Sequence, residues 1–436
     1  MNKIAIFIVI IFFFNNCSFN ENSKIWNDKD KDENINFVNQ ENVTKLFVEE
    51  EVISREFNPE LTINLTKTNI NNKITYNRND YGSQNYNGLL NKNVSYSFAK
   101  LDNINQLNYK PALLPDGLIF FDKKGNITRY DNNTKIVWKK NFYSKAEKKL
   151  KPKLYLAINK ENLLVADNIA KYYSVNINSG KLNWIKNSIY PFNSEIKNHK
   201  NKFFVVDYKN TLRCYNIDDG SECWNLQTEE SFTISDSKFS IIIINDIVIF
   251  NNSIGDITAV DIDSGLINWQ LPTQSSSIAN KTYKFKISKL VSDGKSIFFS
   301  NNKNEFYSID LKTGTINWIN NINSNLRPVI NGNLIFTVSN NGYIFVIQKN
   351  NGNIIRITNL YKNYKKKKKQ NIAPIGFVIG KNNLYLSNNN GRMIVFDLKL
   401  GKIIKEIKIS GKLVSEPLIF NERLFLIKNG SIIRYN

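Results

Sequence analysis

Beyond residue 92 the chain alternates short apolar runs with knots of Asn, Asp, Gly and Ser. The clearest unit lies between Asn245 and Trp269. Ile247–Asn251 is an apolar run, 253–256 is a turn, 257–262 alternates, Asp263-Ser264-Gly265 turns again, and 266–269 forms an outer strand. Runs of this kind, bounded by turn residues, predict strands joined by hairpins. Asp and Asn tolerate the left-handed conformation and bond their own backbone, while Gly accepts positive φ. N-x-x-G and D-x-x-G therefore predict tight links between strands. Helical periodicity is scarce downstream of the N-terminus.

The unit recurs. SVNINSGKLNW ends at Trp184, CYNIDDGSECW at Trp224, AVDIDSGLINW at Trp269 and YSIDLKTGTINW at Trp318, and a worn copy, RYDNNTKIVW, ends at Trp138. Two further copies put Arg356 and Lys405 in the Trp slot. Successive slots lie 46, 40, 45, 49, 38 and 49 residues apart. A period of roughly 40 to 50 residues built from short strands is the mark of a propeller blade or similar β array. Third strands are expected after Gly125, Asn168, Asn210, Gly255, Asn304, Gly342, Gly391 and Gly430, which makes eight units. The last unit stops at 431–436 without a fourth strand. An open edge there is a hazard, and the alternating run 93–99 is suited to cover it. The fold class is therefore all-β: an eight-bladed propeller of four-stranded antiparallel blades, the last closed by an N-terminal strand. The repeated Trp138, Trp184, Trp224, Trp269 and Trp318 read as wedges between blades. Arg356 and Lys405 read as marking blades that pack differently and are more exposed.

The N-terminus reads as an address. Lys3 precedes an unbroken apolar run over 4–14, too short to span a bilayer but right for a signal sequence. Cys17 closes it and resembles the lipidated Cys of bacterial lipoproteins, with Ser18 in place of Asp as the outer-membrane sorting signal. Residues 1–16 are then a lipoprotein signal peptide. Residues 17–60 form an acidic polar tether, 61–92 a lead-in segment and 93–436 the propeller. The tether carries eleven acids against five bases over 18–60, a composition that argues against a packed core. A short helix over 44–57 could dock it.

The net charge of +21 invites a nucleic-acid reading. It is set aside because Lys, Asn and Ile crowd every part of the chain, and no aromatic recognition stretch, zinc pattern or basic helix accompanies the charge. His199 is the only histidine and lies in a polar connector, 197–201, which nearly excludes imidazole catalysis or a His-rich metal centre. No nucleophile elbow, phosphate loop or H-E-x-x-H pattern occurs. Cys214 and Cys223 flank a hairpin turn and face each other if Asn216 pairs with Ser221; a disulfide and two buried thiols are both open. The run Lys365–Lys369 reads as a solvated, mobile loop that could touch anionic lipid.

The D-x-x-x-G-x-x-x-W phrase resembles the repeat named after pyrroloquinoline quinone (PQQ) enzymes. Secreted quinoprotein dehydrogenases share it with the BamB-type propeller lipoproteins of the outer-membrane β-barrel assembly machinery. The resemblance covers 93–436 and the lipidation motif. The enzyme branch implies a quinone in the tunnel, a calcium held by carboxylate and amide oxygens, a carboxylate base and often an adjacent-Cys ring. No Cys-Cys pair exists here, and the Asp residues at 218, 219, 261, 263 and 310 sit in hairpin turns. No catalytic residue, metal or cofactor is therefore expected.

The BamB-type branch implies a monomeric, lipid-anchored, periplasm-facing scaffold at the outer membrane, with no small-molecule substrate. Its partner would be the periplasmic domains of a barrel-inserting (BamA-like) subunit. Blade counting maps the two binding loops of that family to 225–241 and 270–289. The first offers Phe232, Ile234 and Phe239 with Lys238; the second offers Tyr283, Lys284 and Phe285. The leucine-arginine pattern of the family is missing from the first loop and its acidic residues from the second. Exposed aromatics with a basic rim suit interface anchors. A quinone-dependent dehydrogenase and a scaffold for another envelope complex are the alternatives.

Overall fold

The computed structural model describes residues 55–66, 85–91, 93–98, 107–229, 238–273, 286–411 and 413–436. The signal sequence, Cys17, Phe232, Ile234, Tyr283, Lys284 and Phe285 lie outside the described residues. Eight four-stranded antiparallel sheets form the propeller. Blades 1 to 7 cover 112–140, 154–187, 197–227, 241–271, 291–320, 329–359 and 374–408. Blade 8 joins Leu418–Phe420, Arg423–Lys428 and Ser431–Tyr435 to Asn93–Ser97. Asn93 pairs with Tyr435 and Ser97 with Ser431, so the ring closes through one shared blade.

Middle strands are sandwiched between neighbouring blades and are buried on both faces, which is why Ile247–Asn251 reads as a continuous apolar run. Outer strands such as Leu182–Asn187 alternate between half-buried and exposed. The turns rest on local side-chain bonds. The Asp261 carboxylate accepts the N–H groups of Asp263 (3.1 Å) and Ser264 (2.8 Å), and Asp310 accepts those of Lys312 and Thr313, both at 2.9 Å.

One hydrogen bond recurs at the seams. Each indole N–H donates to the carbonyl just past the turn-opening Asp or Asn, or its Gln equivalent, in the next blade. The pairs are Trp138 to Ile177 (2.8 Å), Trp184 to Ile217 (2.8 Å), Trp224 to Ile262 (3.2 Å), Trp269 to Leu311 (3.0 Å) and Trp318 to Lys349 (3.0 Å). The ring lies against the glycine of that turn. A Cβ on Gly314 (φ 72°) would sit 2.6 Å from the Trp269 ring. Glycine is thus required twice there, for its backbone conformation and for the close approach.

The seams without Trp use other donors. The expectation of a more exposed blade fails at Arg356, whose side chain is 0% exposed. Its Nη2 donates to Leu398 O (2.7 Å), the equivalent turn carbonyl, and its Nη1 to Leu61 O (2.9 Å). The reason is the 55–66 segment, which straps this seam. Phe57 and Ile357 exchange backbone bonds of 3.1 and 2.8 Å, and the Ile63 N–H donates to Lys399 O (3.2 Å). The Pro59 carbonyl lies 2.9 Å from where a Gly401 Cβ would stand. The strap thus fills the space an indole would need, and a slender guanidinium reaches past it.

Lys405 donates to Leu89 O (3.3 Å) and Asn91 Oδ1 (2.9 Å), residues that enter blade 8's outer strand where other blades have a turn. At the eighth seam, Arg434 Nη1 donates to Asn132 O (3.1 Å), just past Asp131. Every seam therefore carries a side-chain N–H bonded to backbone.

Two further readings change. Lys366–Asn371 is a short exposed helix rather than an irregular loop; Lys368 lies over the Tyr364 ring at 3.7 Å and reaches Glu406 at 3.9 Å. His199 ends an inner strand, Lys197–His199, instead of lying in a connector. The Asn216 N–H donates to Ser221 O (2.8 Å) as expected, a bulge follows Cys214 in the backbone register, and the Cys214 and Cys223 side chains still meet. Both thiols are free.

Two predictions concern the seams. Trp269→Ala should cost about 3–5 kcal/mol and Gly314→Ala about 1–3 kcal/mol. In the double variant the costs should sum to less, because the methyl group added by Gly314→Ala no longer meets a ring; strictly additive urea midpoints would contradict the wedge. Arg356→Ala should make the 55–66 strap the first segment cut by limited proteolysis, whereas Trp318→Ala should leave its cleavage rate unchanged.

Candidate functional site: the hub and its return loops

The innermost strand of each blade lines the hub, and strand register identifies one equivalent position per blade. It lies two residues before the partner of the third residue of the second strand. Around the ring these positions are Lys110, Tyr155, Glu195, Ser240, Lys289, Arg327, Gly376 and Glu416. Seen together they are a polar hub inside an apolar wheel.

Four of them form a closed ionic network. Lys110 Nζ reaches Glu195 (3.1 Å) and Glu416 (3.5 Å), and Lys289 Nζ reaches the same two carboxylates at 2.6 and 3.2 Å. Gly376 leaves room for it, since a Cβ there would lie 2.4 Å from that of Glu416. Burial opposes ionisation of Glu195, but Lys110, Lys289 and Lys197 outweigh it and hold the carboxyl well below its usual range. Burial likewise opposes ionisation of Glu416, and Lys289, Lys110 and Arg327 overcome it.

Beside the network is a cavity of about 230 Å³ lined by Lys238, Lys286, Lys289, Arg327 and Glu416 among others. Lys238 and Lys286 mark where the two loops nominated from the sequence return to the hub. Lys238 Nζ lies 3.0 Å from the centre of the Tyr109 ring and donates to Asn108 O (3.1 Å). Burial, with Lys289 nearby, lowers its pKa well below the usual lysine range. Phe239 corrects the loop reading. It is 3% exposed in the core beside Phe204 and Phe250, because the chain already enters blade 4 there. It offers no rim contact. The hub ring itself escaped sequence reasoning; counting two residues back from the paired inner-strand position would have found it.

The profile of the family described as outer membrane protein assembly factor BamB matches residues 123–358, more than half of the 436-residue chain. The chain belongs to the BamB family. BamB from Moraxella catarrhalis superposes with a TM-score of 0.62 at 14% identity, covering 79% of this chain and 100% of that one. The computationally designed Ika8 protein gives 0.60 at 12% identity, covering 78% and 99%. Quinohemoprotein alcohol dehydrogenase ADHIIG from Pseudomonas putida HK5 gives 0.56 at 11%, covering 82% and 80%. At such identities the likeness to BamB, to a design and to an enzyme is one of fold alone. No curated protein sequence matches the chain.

The enzyme branch of this repeat would place a quinone and a hard cation in the hub, and such a cation needs several converging oxygen ligands. Among the described residues the hub's donor set does not fit it. Glu195 and Glu416 are each held by two ammonium groups, so their oxygens are engaged by cationic side chains. Among the described residues no helix is long and apolar enough to cross a membrane.

The network sets a pH response. Glu195 and Glu416 have depressed folded pKa values, so their stabilisation is present above about pH 4.5 and is lost as pH falls below it. Asp167 acts oppositely: burial raises it to about 6 against a Tyr143 hydroxyl at 2.6 Å. Between about pH 4 and 6 folding therefore takes up a proton at Asp167, and its contribution grows as pH falls through that window. Thermal melts should show a shallow rise from pH 7 to 5 and a fall below 4.5. Glu416→Gln should lower the melting temperature at pH 7 and flatten the acid limb; an unchanged acid limb would remove the network from the account.

Proposed function

We propose that this chain is a non-catalytic scaffold lipoprotein of the outer-membrane β-barrel assembly machinery, anchored through Cys17 and facing the periplasm. The family match over 123–358 carries this reading. Two physical features support it. The hub carboxylates are neutralised by lysines and so are poor general bases. The eight seams make a stiff ring, and a rigid support is what a loop-presenting binder needs to limit the entropy lost on association. In this reading Phe232, Ile234 and Lys238 on one loop, and Tyr283, Lys284 and Phe285 on the other, meet the periplasmic domains of the barrel-inserting subunit.

Affinity capture from cross-linked envelope extracts tests this directly. The full chain should recover the barrel-inserting protein. A Tyr283→Ala, Phe285→Ala double variant should reduce recovery about tenfold, the loss of one or two interface anchors. Cys17→Ser should move the protein from the membrane to the soluble fraction without unfolding it. Recovery of a different envelope complex, or co-purification of a quinone with stoichiometric calcium, would overturn the proposal.

A further inference from the structure

Blade 3 carries two cysteines where other blades carry a side-chain bond between strands. In blades 1 to 7 the pairing of the third and fourth strands shifts by one residue just before the Trp slot. The residue ahead of the slot is the extra one, so it and the slot residue both face a single partner on the third strand. In blade 2 that partner is Ser174, and the extra residue, Asn183, donates to its Oγ at 3.1 Å. In blade 5 the same two positions are Ser308 and Asn317, bonded at 3.3 Å. In blade 3 they are Cys214 and Cys223. The repeat therefore brings the two thiols together, within hydrogen-bonding reach of each other. Residues opposed across an antiparallel pair lie about 4.5–5.5 Å apart at Cα, inside the ~4.4–6.8 Å that a disulfide spans.

The two sulfurs differ in access. Cys214 is buried in the apolar cluster between blades 3 and 4 with Phe204, Val248 and Phe250, whereas Cys223 is only half-buried at its margin. Lys202 stands beside both, bound to Asp263 at 2.7 Å, and an ammonium near a thiol favours the thiolate. Cys223 is therefore the sulfur that an outside reagent meets first. Cys214, whose burial pushes its thiol up, is the resolving partner.

We propose that Cys214 and Cys223 are a redox-active pair that closes to a disulfide within blade 3, with a small-molecule or protein disulfide as the oxidant. The Cys223 thiolate attacks the oxidant, forming a mixed disulfide and releasing one thiolate. Cys214 gives its proton to that thiolate, and its sulfur attacks the Cys223 Sγ and expels the second. The pair has lost two electrons and two protons, and the oxidant leaves as two thiols.

The bridge staples Glu222–Gln227, an outer strand with a neighbour on one side only, to the strand inside it. It also pins the bulge that aims Trp224 at the Ile262 carbonyl, at 3.2 Å the longest of the five indole bonds. Closure is the chemistry of one hairpin and does not depend on which partner the propeller meets.

Incubation of the full chain in glutathione buffers of increasing oxidation, followed by acid quench, denaturation and maleimide labelling, tests it. Cys214 and Cys223 should escape the label together, in a single two-electron step, with no glutathione retained. Cleavage at Asp218 and Asp219 should leave the two halves of the hairpin joined until a reductant is added. In Cys214→Ser, Cys223 should instead accumulate as the glutathione adduct, whereas in Cys223→Ser the remaining thiol should react at least tenfold more slowly. The oxidised chain should melt about 5 °C above the reduced one, from closing a loop of about ten residues. A Cys214→Ser, Cys223→Asn double variant installs the pair that blades 2 and 5 already hold, so it should fold and melt alike in both buffers. Both thiols still labelled in the most oxidising buffer, a glutathione adduct as the end product of the unaltered chain, or a bridge found only between chains would overturn the proposal. So would equal melts of the unaltered chain in both buffers. The envelope capture reads neither thiol and can succeed or fail on its own.

Discussion

A single kind of bond holds the blades in a ring: a side-chain N–H on one blade meeting backbone on the next. A lone four-stranded sheet with two apolar faces cannot bury both, so each blade is stable only between neighbours. Hydrophobic contact alone would let the sheets slide. The indole or guanidinium fixes their relative position, because its donor finds a carbonyl at only one register. The turn glycine is the other half of the joint, since anything larger would hold the ring away from its acceptor.

The hub follows from the same geometry. Inner strands that converge on an axis must bring eight side chains together, and eight apolar ones would close it completely. This chain places charges there, and partly buried ion pairs repay their desolvation only when each partner is satisfied. Lys110 and Lys289, each shared between two carboxylates, meet that condition.

Much of the wheel could be read from residues, because its turns demand particular chemistry. Asp261 and Gly265 can hardly be replaced without losing the hairpin, so the repeat stands out in the chain. The closing strand was legible through alternation at 93–97. Arg356 was misread because an arginine in a tryptophan slot looks like surface, and its acceptor Leu61 lies 295 residues away. The hub ring left no trace in composition. Its eight positions hold Lys, Tyr, Glu, Ser, Lys, Arg, Gly and Glu, alike only in register. Phe239 fell to local geometry, a chain already entering a blade.

The shared blade also bears on how the protein is made. Tyr96 and Arg434 meet across 338 residues of chain, a separation that makes closure entropically expensive and slow. A polypeptide that emerges amino end first must keep 93–97 waiting until its last hairpin arrives. In that interval both flanks of the gap are bare sheet, open to neighbouring chains. Ring closure is therefore the step at which such a wheel depends most on holding partners during biogenesis.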